Sequence, residues 1–590
     1  MKEFFKQVGA TVVGIMIFCL VVGVMSVMSI VGMIASSSAT KDVADNTVFV
    51  IDLNGQLQER AEDDIMTVLS GGRTDVIGLD DLLLAIKKAK NNDNVKGIYI
   101  QSGLFASDSY ASLQAVRKAL VDFKKSGKWI VAYGDVYTQA TYYLSSVADK
   151  VYLNPSGQVE WSGICSQTMF VKDLMAKFGV KMQVVKVGAY KSATEMFTGD
   201  KMSDANKEQV SAFINGIWNT VCTDVAKSRK VTVAQLNQYA DNMITLGDPK
   251  DYVKYKLVDK LLYVDQLKAE VKKLMNLKDD DDVNTIGITG MAGVPGGADD
   301  GDCIAVYYAY GDIVDNATGM ASRSHVIDGA KVSADFRDLA DDDDVKAVVI
   351  RINSGGGSAY ASEQIWRAVQ LVKAKKPVVV SMGGMAASGG YYMSCSANWI
   401  VAEPTTLTGS IGIFGMFPDA SGLLTEKLGV KFDEVKTNKN SGFGTMARPF
   451  SEEEMGYLSA YIDRGYKLFR QRVADGRRLS TDAVEKIAQG RVWLGQDALK
   501  IKLVDQLGGL DDAVAKAAKL AKVDEYYTAE YPAKADWMDD LLNNGFSSGS
   551  YIDEQMRMTM GEYYSTFMLL KNINRQSAIQ ARMPYVITIK

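Results

Sequence analysis

Histidine is almost absent from this chain. Among 590 residues there is one, His325, in the polar segment SRSHVIDG. This scarcity limits the available mechanisms, because histidine is the usual general base for a hydroxyl nucleophile. Cysteine is also sparse: five widely spaced residues without a CxxC pair support neither a zinc site nor a disulfide framework, and they are typical of small buried side chains.

A positive charge excess is missing as well. The formal net charge is −5, which gives no electrostatic footprint for nucleic acid, and we expect no nucleic-acid partner. Two runs of four aspartates, at 279–282 and 341–344, lack the EF-hand spacing and are typical of solvated loops, with metal binding as the alternative. We expect neither a metal nor a cofactor.

Charged side chains are absent from residues 7–40, and Gly9 to Ala35 is long enough to span a bilayer. The apolar core of a secretory signal peptide is shorter, so the length favours an uncleaved anchor; cleavage near the segment SSSAT is the alternative. Lys2 and Lys6 precede the span and favour a cytoplasmic N-terminus, with the rest of the chain across the membrane.

From Asn46 onward, strand-like and helix-like segments alternate, as in βα units around a parallel sheet. The succession occurs twice. VKGIYI at residue 95 returns as VKAVVI at residue 345, ADKVYLNP returns as ANWIVAEP, and KLVDKL returns as KLVDQL, always in the same order. The predicted divisions are an anchor at 1–45, a first repeat at 46–275, a linker rich in Gly and Asp at 276–301, a second repeat at 302–535 and a C-terminal extension at 536–590.

The second repeat carries a candidate nucleophile after a predicted strand. Val378 to Val380 is a β-branched run, which then breaks into GGMAASGG with Ser388 in its middle. We predict a helix from Tyr391 to Trp399, and amides at a helix N-terminus stabilise a developing oxyanion. A glycine-rich packing turn is the alternative.

Each repeat lacks a candidate catalytic residue that the other repeat has. At the place of Ser388 the first repeat has Gln139, whereas the first repeat carries Lys191, in VGAYKSATEMF, where the second has Ser441. A lysine can act as a base when burial lowers its pKa. One repeat thus supplies a candidate nucleophile and the other a candidate base; the alternatives are a surface lysine and His325 as the base.

A second glycine-rich turn, NSGGGSAY, follows the strand VKAVVIRI. Its amides can reach the crevice at the carboxyl ends of the strands, so Gly356 and Gly357 are candidate oxyanion donors, together with Gly389 after the nucleophile. Ser410, in TLTGSIGIFG, can accept a hydrogen bond from the lysine amine. Simple turn formation is the alternative for each.

Four motifs together resemble one family. NSGGGSAYASE, SMGGMAASGGYYMS, TLTGSIGIFG and VGAYKSA are similar to motifs of signal peptide peptidase A, also called protease IV, in its long two-repeat form. The resemblance covers roughly residues 45 to 530. One departure is visible, because Gly355 stands where the family's NSPGG turn has proline.

The resemblance implies an α/β fold of tandem duplicated crotonase/Clp-protease-like domains behind an N-terminal transmembrane helix. It implies a Ser–Lys dyad without cofactor. The implied roles are nucleophile for Ser388, general base for Lys191, lysine orientation for Ser410 and oxyanion hole for Gly356, Gly357 and Gly389. It further implies a single-pass homotetramer in the cell inner membrane, with its catalytic domains on the periplasmic side, that degrades signal peptides and other apolar peptides.

Two other functions stay open from the residues alone. A crotonase-type acyl-CoA enzyme shares the fold and the oxyanion amides but needs neither Ser388 nor Lys191. A non-catalytic membrane scaffold would be a decayed duplication. The extension, with a predicted helix at Tyr551 to Asn572 and the strand-like MPYVITIK, is interpreted as a packing or assembly arm.

Overall fold

The structure is a computed structural model that describes residues 42–61, 76–278, 280–296, 301–317, 325–534 and 578–583, with residues 6, 9, 13–18, 21, 22, 25 and 556. Most of the predicted span, Gly9 to Ala35, and nearly all of the predicted helix Tyr551 to Asn572 lie outside the described residues. Within the part that is described, no helix has both the length and the apolar character needed to cross a bilayer.

The first repeat is built on a sheet of parallel strands in the order β2–β1–β3–β4–β5–β7, with β8 paired to β1. The strands in this part of the chain are β1 (Thr47–Gln58), β2 (Val76–Gly78), β3 (Val95–Ser107), β4 (Trp129–Tyr137), β5 (Lys150–Val159), β6 (Lys181–Lys186), β7 (Lys260–Leu261) and β8 (Asn284–Ile286). The helices are α1 (Leu79–Asn91), α2 (Tyr110–Lys124), α3 (Gln139–Ser145), α4 (Lys172–Lys177), α5 (Glu195–Thr198), α6 (Asp204–Arg229), α7 (Val233–Asp241), α8 (Pro249–Lys254), α9 (Val264–Leu274) and α10 (Ile288–Ala292).

Both faces of this sheet are covered, which explains why its strands are apolar almost throughout. Successive side chains of β1 enter different apolar clusters: Phe49 packs in the larger cluster, and Val48 packs with Leu267 of α9 in the smaller one. The fold of the first repeat also continues into the predicted linker. There β8 pairs with β1, and the Lys88 amine of α1 donates to the Ala292 carbonyl of α10 over 2.6 Å.

The second repeat has a larger sheet in the order β18–β16–β14–β12–β9–β20, with β15 on β14 and β19 on β15. Its strands are β9 (Asp302–Tyr310), β10 (Asp312–Val314), β11 (Val326–Asp328), β12 (Val345–Ser354), β13 (Gly356–Ser358), β14 (Val378–Ala387), β15 (Trp399–Ala402), β16 (Leu407–Gly409), β17 (Phe414–Asp419), β18 (Val492–Leu494), β19 (Gln506–Leu507) and β20 (Tyr526–Tyr531). Its helices are α11 (Gly329–Asp341), α12 (Ala359–Lys373), α13 (Gly389–Ser394), α14 (Glu452–Arg477), α15 (Thr481–Ile487), α16 (Gly495–Lys500) and α17 (Leu510–Ala521).

The strand order of the first repeat returns in the second. The parallel series β1–β3–β4–β5 corresponds to β9–β12–β14–β15, as the repeated segments predict.

The predicted helix from Tyr391 to Trp399 is wrong in its bounds. The helix α13 begins at Gly389 and ends at Ser394, and Trp399 begins β15. The physical reason is Asn398, whose backbone N–H donates to the Val378 carbonyl and whose side chain accepts from the Val378 N–H, both over 2.8 Å. This pair of bonds ties the chain to the start of β14, so that Trp399 can pair with β14 instead of extending the helix.

A third sheet joins the two repeats, in the order β11–β10–β13–β21–β17–β6. Its strand β21 (Ile579–Arg582) comes from the C-terminal extension. The first repeat contributes β6, which runs antiparallel to β17 of the second repeat. A buried ion pair also crosses the boundary, because the Arg351 guanidinium donates to both carboxylate oxygens of Glu59 over 2.9 Å. The segments that carry the candidate site residues are therefore held by contacts between the repeats.

Candidate active site

Ser388 lies at the junction of β14 and α13 in a strained backbone conformation. Its φ is 56° and its ψ is −111°, outside the regions that L-residues commonly adopt. A neighbouring strand holds this conformation, because the Ser388 N–H donates to the carbonyl of Gly409 in β16 over 2.8 Å. The side chain is fully buried. Strain of this kind persists only where the surrounding structure holds it, and it is concentrated at functional sites.

Lys191 of the first repeat reaches this serine directly. Its Nζ lies 2.7 Å from the Ser388 Oγ, and it donates to Ser410 Oγ over 3.0 Å and to the Ser410 carbonyl over 3.1 Å. A neutral amine has two N–H donors and one lone pair. The two Ser410 oxygens match the two donors, which leaves the lone pair to accept the Ser388 O–H. The first repeat thus supplies a basic nitrogen within hydrogen-bond distance of a hydroxyl in the second.

Burial shifts the protonation equilibrium of the Lys191 amine toward the neutral form. Lys191 is among the largest side chains that the described structure buries completely. Removal from water disfavours the charged form, so burial lowers the pKa of the Lys191 amine well below its ordinary value. A neutral lysine at moderate pH can accept a proton, which an ordinary surface lysine cannot do.

Two glycines of the second repeat form part of the wall around the lysine. A Cβ on Gly490, whose φ is +79°, would lie 2.7 Å from both the Cβ and the backbone nitrogen of Lys191. A Cβ on Gly412 would lie 3.3 Å from the Lys191 Cδ. Our sequence analysis missed both; the available signal for Gly490 was its place in the segment AQGRVWLG between predicted elements.

Gln209 of α6 fixes the loop that carries Lys191. Its fully buried side chain donates to the Tyr190 carbonyl and to the Ser192 hydroxyl, each over 3.0 Å, and accepts from the Val492 N–H over 3.2 Å. The residues on both sides of Lys191 are therefore tied to β18 of the second repeat. Nothing in the sequence distinguishes this glutamine from others on a helix.

Two of the three candidate oxyanion glycines, Gly356 and Gly389, lie against each other. A Cβ on Gly356, whose φ is +100°, would lie 2.7 Å from the Gly389 backbone nitrogen, so only glycine allows this approach. In this structure the Gly356 N–H donates to the Ser354 Oγ over 3.1 Å. Gly357 lies in β13 and pairs with Ile313 of β10.

The other candidates lie in different surroundings. The His325 ring packs against Tyr310 with ring centroids 4.8 Å apart, at the start of β11. Ser441 lies in an exposed loop, where its Oγ accepts from the Asn438 N–H. Gln139, which takes the place of Ser388 in the first repeat, is buried; it donates to the Tyr110 hydroxyl over 2.9 Å and accepts from the Gly163 N–H over 3.1 Å. In the first repeat, the junction of β4 and α3 that corresponds to the Ser388 junction is therefore held by the hydrogen bonds of a glutamine side chain.

Two segments of the chain, 122–278 and 370–524, match the family described as Peptidase family S49. The chain belongs to peptidase family S49. Residues 324–401 also match the Clp protease family. The duplicated S49 domains and the Clp-protease-like α/β fold with parallel sheets are thereby confirmed.

The S49 relatives cover most of the chain. Protease 4 of Salmonella typhi is 38% identical over 485 residues, which is 80% of this chain and 77% of the relative. Protease 4 of Haemophilus influenzae is 33% identical over 511 residues, covering 83% and 82%. The chloroplastic serine protease SPPA of Arabidopsis thaliana is 28% identical over 555 residues, covering 92% and 78%. This S49 protein is a serine protease.

Proposed function

We propose that Ser388 and Lys191 are the catalytic dyad of this serine protease. The observation that carries the proposal is the 2.7 Å contact between the Lys191 amine and the Ser388 hydroxyl, in a site where burial lowers the pKa of the amine. Neither an acyl-CoA enzyme nor a scaffold needs a buried lysine against a strained serine, so this contact favours peptidase chemistry over both.

The proposed reaction proceeds through an acyl-enzyme. Lys191 accepts the proton of Ser388, whose Oγ attacks the carbonyl carbon of a peptide bond. The N–H groups of Gly356 and Gly389 then stabilise the oxyanion, with Gly357 assigned beside them. The Lys191 ammonium gives its proton to the leaving amine. Water, deprotonated by Lys191, releases the acyl group, and Ser410 holds the amine in position throughout.

Apolar peptides at a membrane, signal peptides included, are the proposed substrates. A protein of Enterococcus faecium called putative signal peptide peptidase SppA is 36% identical over 199 residues, or 33% of this chain. The uncharged segment 7–40 supports a single-pass anchor in the inner membrane, with a cytoplasmic N-terminus and periplasmic repeats. The homotetramer and the domain divisions at 45, 301 and 535 belong to the same proposal. The division predicted at 275 is left out, because β8 and α10 pack with the first repeat.

Peptide hydrolysis by the full chain in detergent tests the dyad. Ser388→Ala and Lys191→Ala should each lower kcat by at least about 10³-fold, since one group acts through the other. The matched control is His325→Ala, which should keep the parent activity. A fluorophosphonate probe should label the parent at Ser388. Full activity of Lys191→Ala would show that another group is the base, and labelling without hydrolysis of any peptide would favour a different acyl-transfer reaction.

A further inference from the structure

Arg491 of the second repeat is tied to the candidate site through its backbone. It lies in the segment AQGRVWLG, directly after the Gly490 that faces Lys191. Its carbonyl accepts a hydrogen bond from the Ser410 N–H over 2.7 Å. Ser410 in turn supplies both oxygens to which the Lys191 amine donates. The backbone of Arg491 therefore holds the serine whose oxygens accept from the amine.

The side chain of Arg491 binds the residue that precedes Lys191. The central carbon of its guanidinium lies 4.8 Å from the ring centre of Tyr190 and 4.5 Å from that of Trp493, both within the range of a cation–π contact. One guanidinium nitrogen donates to the Tyr190 hydroxyl over 3.1 Å and pairs with the Glu208 carboxylate over 2.9 Å. The Tyr190 hydroxyl donates to the other Glu208 oxygen over 3.0 Å. Arg491 thus joins the Lys191 loop of the first repeat to β18 of the second.

Lys191 depends on such contacts, because it lies in a loop between β6 and α5. A loop has no helix or strand geometry to direct a side chain, whereas the 2.7 Å contact with the Ser388 Oγ requires a fixed direction. A misplacement of about 1 Å can lower a reaction rate by about 10²-fold. The loop is held at its backbone, where the Tyr190 N–H donates to the Gln489 carbonyl over 3.0 Å, and at its side chain, where Tyr190 meets Arg491.

The first repeat has no arginine at the corresponding position. Alignment of KLVDKL with KLVDQL places Thr245 opposite Arg491, and it places Met243 opposite Gln489, which have similar φ values of 51° and 54°. The Thr245 Oγ1 accepts a hydrogen bond from the Trp161 N–H over 2.9 Å. The arginine is thus found in the repeat that carries the candidate nucleophile, as a role in the site predicts.

From these contacts we propose that Arg491 is a positioning residue for the proposed base, Lys191. Its guanidinium holds Tyr190 and its carbonyl holds Ser410. One residue thereby fixes both the loop that carries the lysine and the oxygens that accept from its amine. A lysine at position 491 cannot take this role, because it lacks the planar group that stacks on rings and forms directed hydrogen bonds. The inference rests on the proposed dyad.

Two substitutions separate this geometry from a simple effect of charge. Arg491→Lys keeps a positive charge beside Glu208 but loses the planar group, and Arg491→Met loses both. A nearby cation disfavours the ammonium form of Lys191, so a pure charge effect raises the pKa of Lys191 in the Met variant and leaves it unchanged in the Lys variant. Loss of positioning raises the pKa in both variants, because a loosened loop admits water to an amine whose pKa is lowered by burial.

The measurement is kcat and KM for an apolar peptide over a wide pH range, with the full chain in detergent. Because only the neutral amine accepts the Ser388 proton, activity should rise at a higher pH in both Arg491 variants than in the parent. Near neutral pH, kcat should fall at least about tenfold, with KM close to that of the parent. The pH of the rise does not depend on how much protein is folded, so partial unfolding cannot imitate the shift.

The matched control is Arg472→Lys. The Arg472 guanidinium carbon lies 3.8 Å from the ring centre of Trp366, and the side chain pairs with Glu363 over 2.6 Å. This variant loses the same kind of stacked ion pair in a place that does not contact the Lys191 loop through any of the contacts described above. Its activity should rise at the parent pH.

The outcomes separate this inference from the proposed function. If the activity of Arg491→Lys rises at the parent pH, the inference is refuted and the dyad stands, even if the variant is slower. If Arg472→Lys shifts as far as Arg491→Lys, the shift is a general effect of a lost arginine stack, and the inference is again refuted. If Lys191→Ala keeps the parent activity, the proposed function fails and the inference falls with it.

Discussion

The pH dependence of peptide hydrolysis can show whether Lys191 is the base, and Ser410 is the position from which to perturb it. Both Ser410 oxygens lie within 3.1 Å of the Lys191 amine. The φ of Ser410 is +48°, a left-handed conformation that Asp and Asn adopt more readily than other residues with a side chain. Ser410→Asp therefore adds a carboxylate beside the amine, and Ser410→Asn adds a group of the same size without the charge.

The expected shift follows from simple electrostatics. Opposite charges about 4 Å apart interact by about 4 kcal/mol at an effective dielectric constant near 20, and one pKa unit corresponds to about 1.4 kcal/mol. A carboxylate at this distance stabilises the ammonium form, so the pKa of Lys191 should rise by about 1–3 units. Because only the neutral amine accepts the Ser388 proton, activity should appear at a pH higher by the same amount.

The assay is kcat/KM for an apolar peptide over a wide pH range, in the parent, Ser410→Asn and Ser410→Asp. In the parent the rate should rise with pH through the lowered pKa of Lys191. The Asn variant should be slower at every pH, with the rise near the parent position, and the Asp variant should show the rise displaced upward. If the Asp and Asn profiles rise at the same pH, the titrating base does not lie beside Ser410, and our assignment of Lys191 is wrong.

Three further variants test the surroundings of the site. Lys191→Met should abolish activity and should differ from the parent in stability by an amount that depends on pH. Between the lowered pKa of Lys191 in the folded state and its unfolded value near 10.4, the unfolding free energy of the parent should rise by about 1.4 kcal/mol per pH unit relative to the variant. A difference in unfolding free energy that stays constant with pH in urea titrations would refute a neutral buried lysine. Gly490→Ala should lower kcat at least about tenfold, because the new Cβ meets the backbone of Lys191, whereas Gly444→Ala, with a similar positive φ but nothing within 4 Å, should not. Arg351→Met leaves the Glu59 carboxylate buried and unpaired, which should cost about 3–5 kcal/mol in urea unfolding; a loss below about 1 kcal/mol would mean that the pair is solvated.

The architecture of each repeat could be predicted because buried parallel strands carry an unmistakable signal. Segments such as VKGIYI and VKAVVI are apolar almost throughout, since helices cover both faces of their sheets, and their recurrence in order predicts the duplication. The third sheet could not be predicted. Its strands β13 and β21 have three and four residues, and their pairing depends on contacts between distant parts of the chain.

The candidate site residues whose side chains imply a chemical role could be predicted from the sequence. The residues that act only through their position in the fold could not. Ser388 and Lys191 could be paired because each repeat lacks what the other retains. Gln209 acts through hydrogen bonds to backbone on both sides of the lysine, and Gly490 acts through the absence of a side chain. The role of Gln209 leaves no pattern in a single sequence. The position of Gly490 between predicted elements indicates a turn but not its contact with Lys191, because that contact depends on how the two repeats pack together.

The division of the proposed dyad between the two repeats has a physical basis, because the lysine must be buried. Lys191 follows β6, which pairs with β17 of the second repeat, and the second repeat also supplies Gly490 and both oxygens of Ser410 around the amine. A first repeat alone would leave this lysine in water, with an ordinary pKa and a proton it could not exchange for that of serine. The lowered pKa is thus a property of the packed pair of repeats. The proposed base in the first repeat can therefore serve the proposed nucleophile in the second only while the two repeats stay packed together.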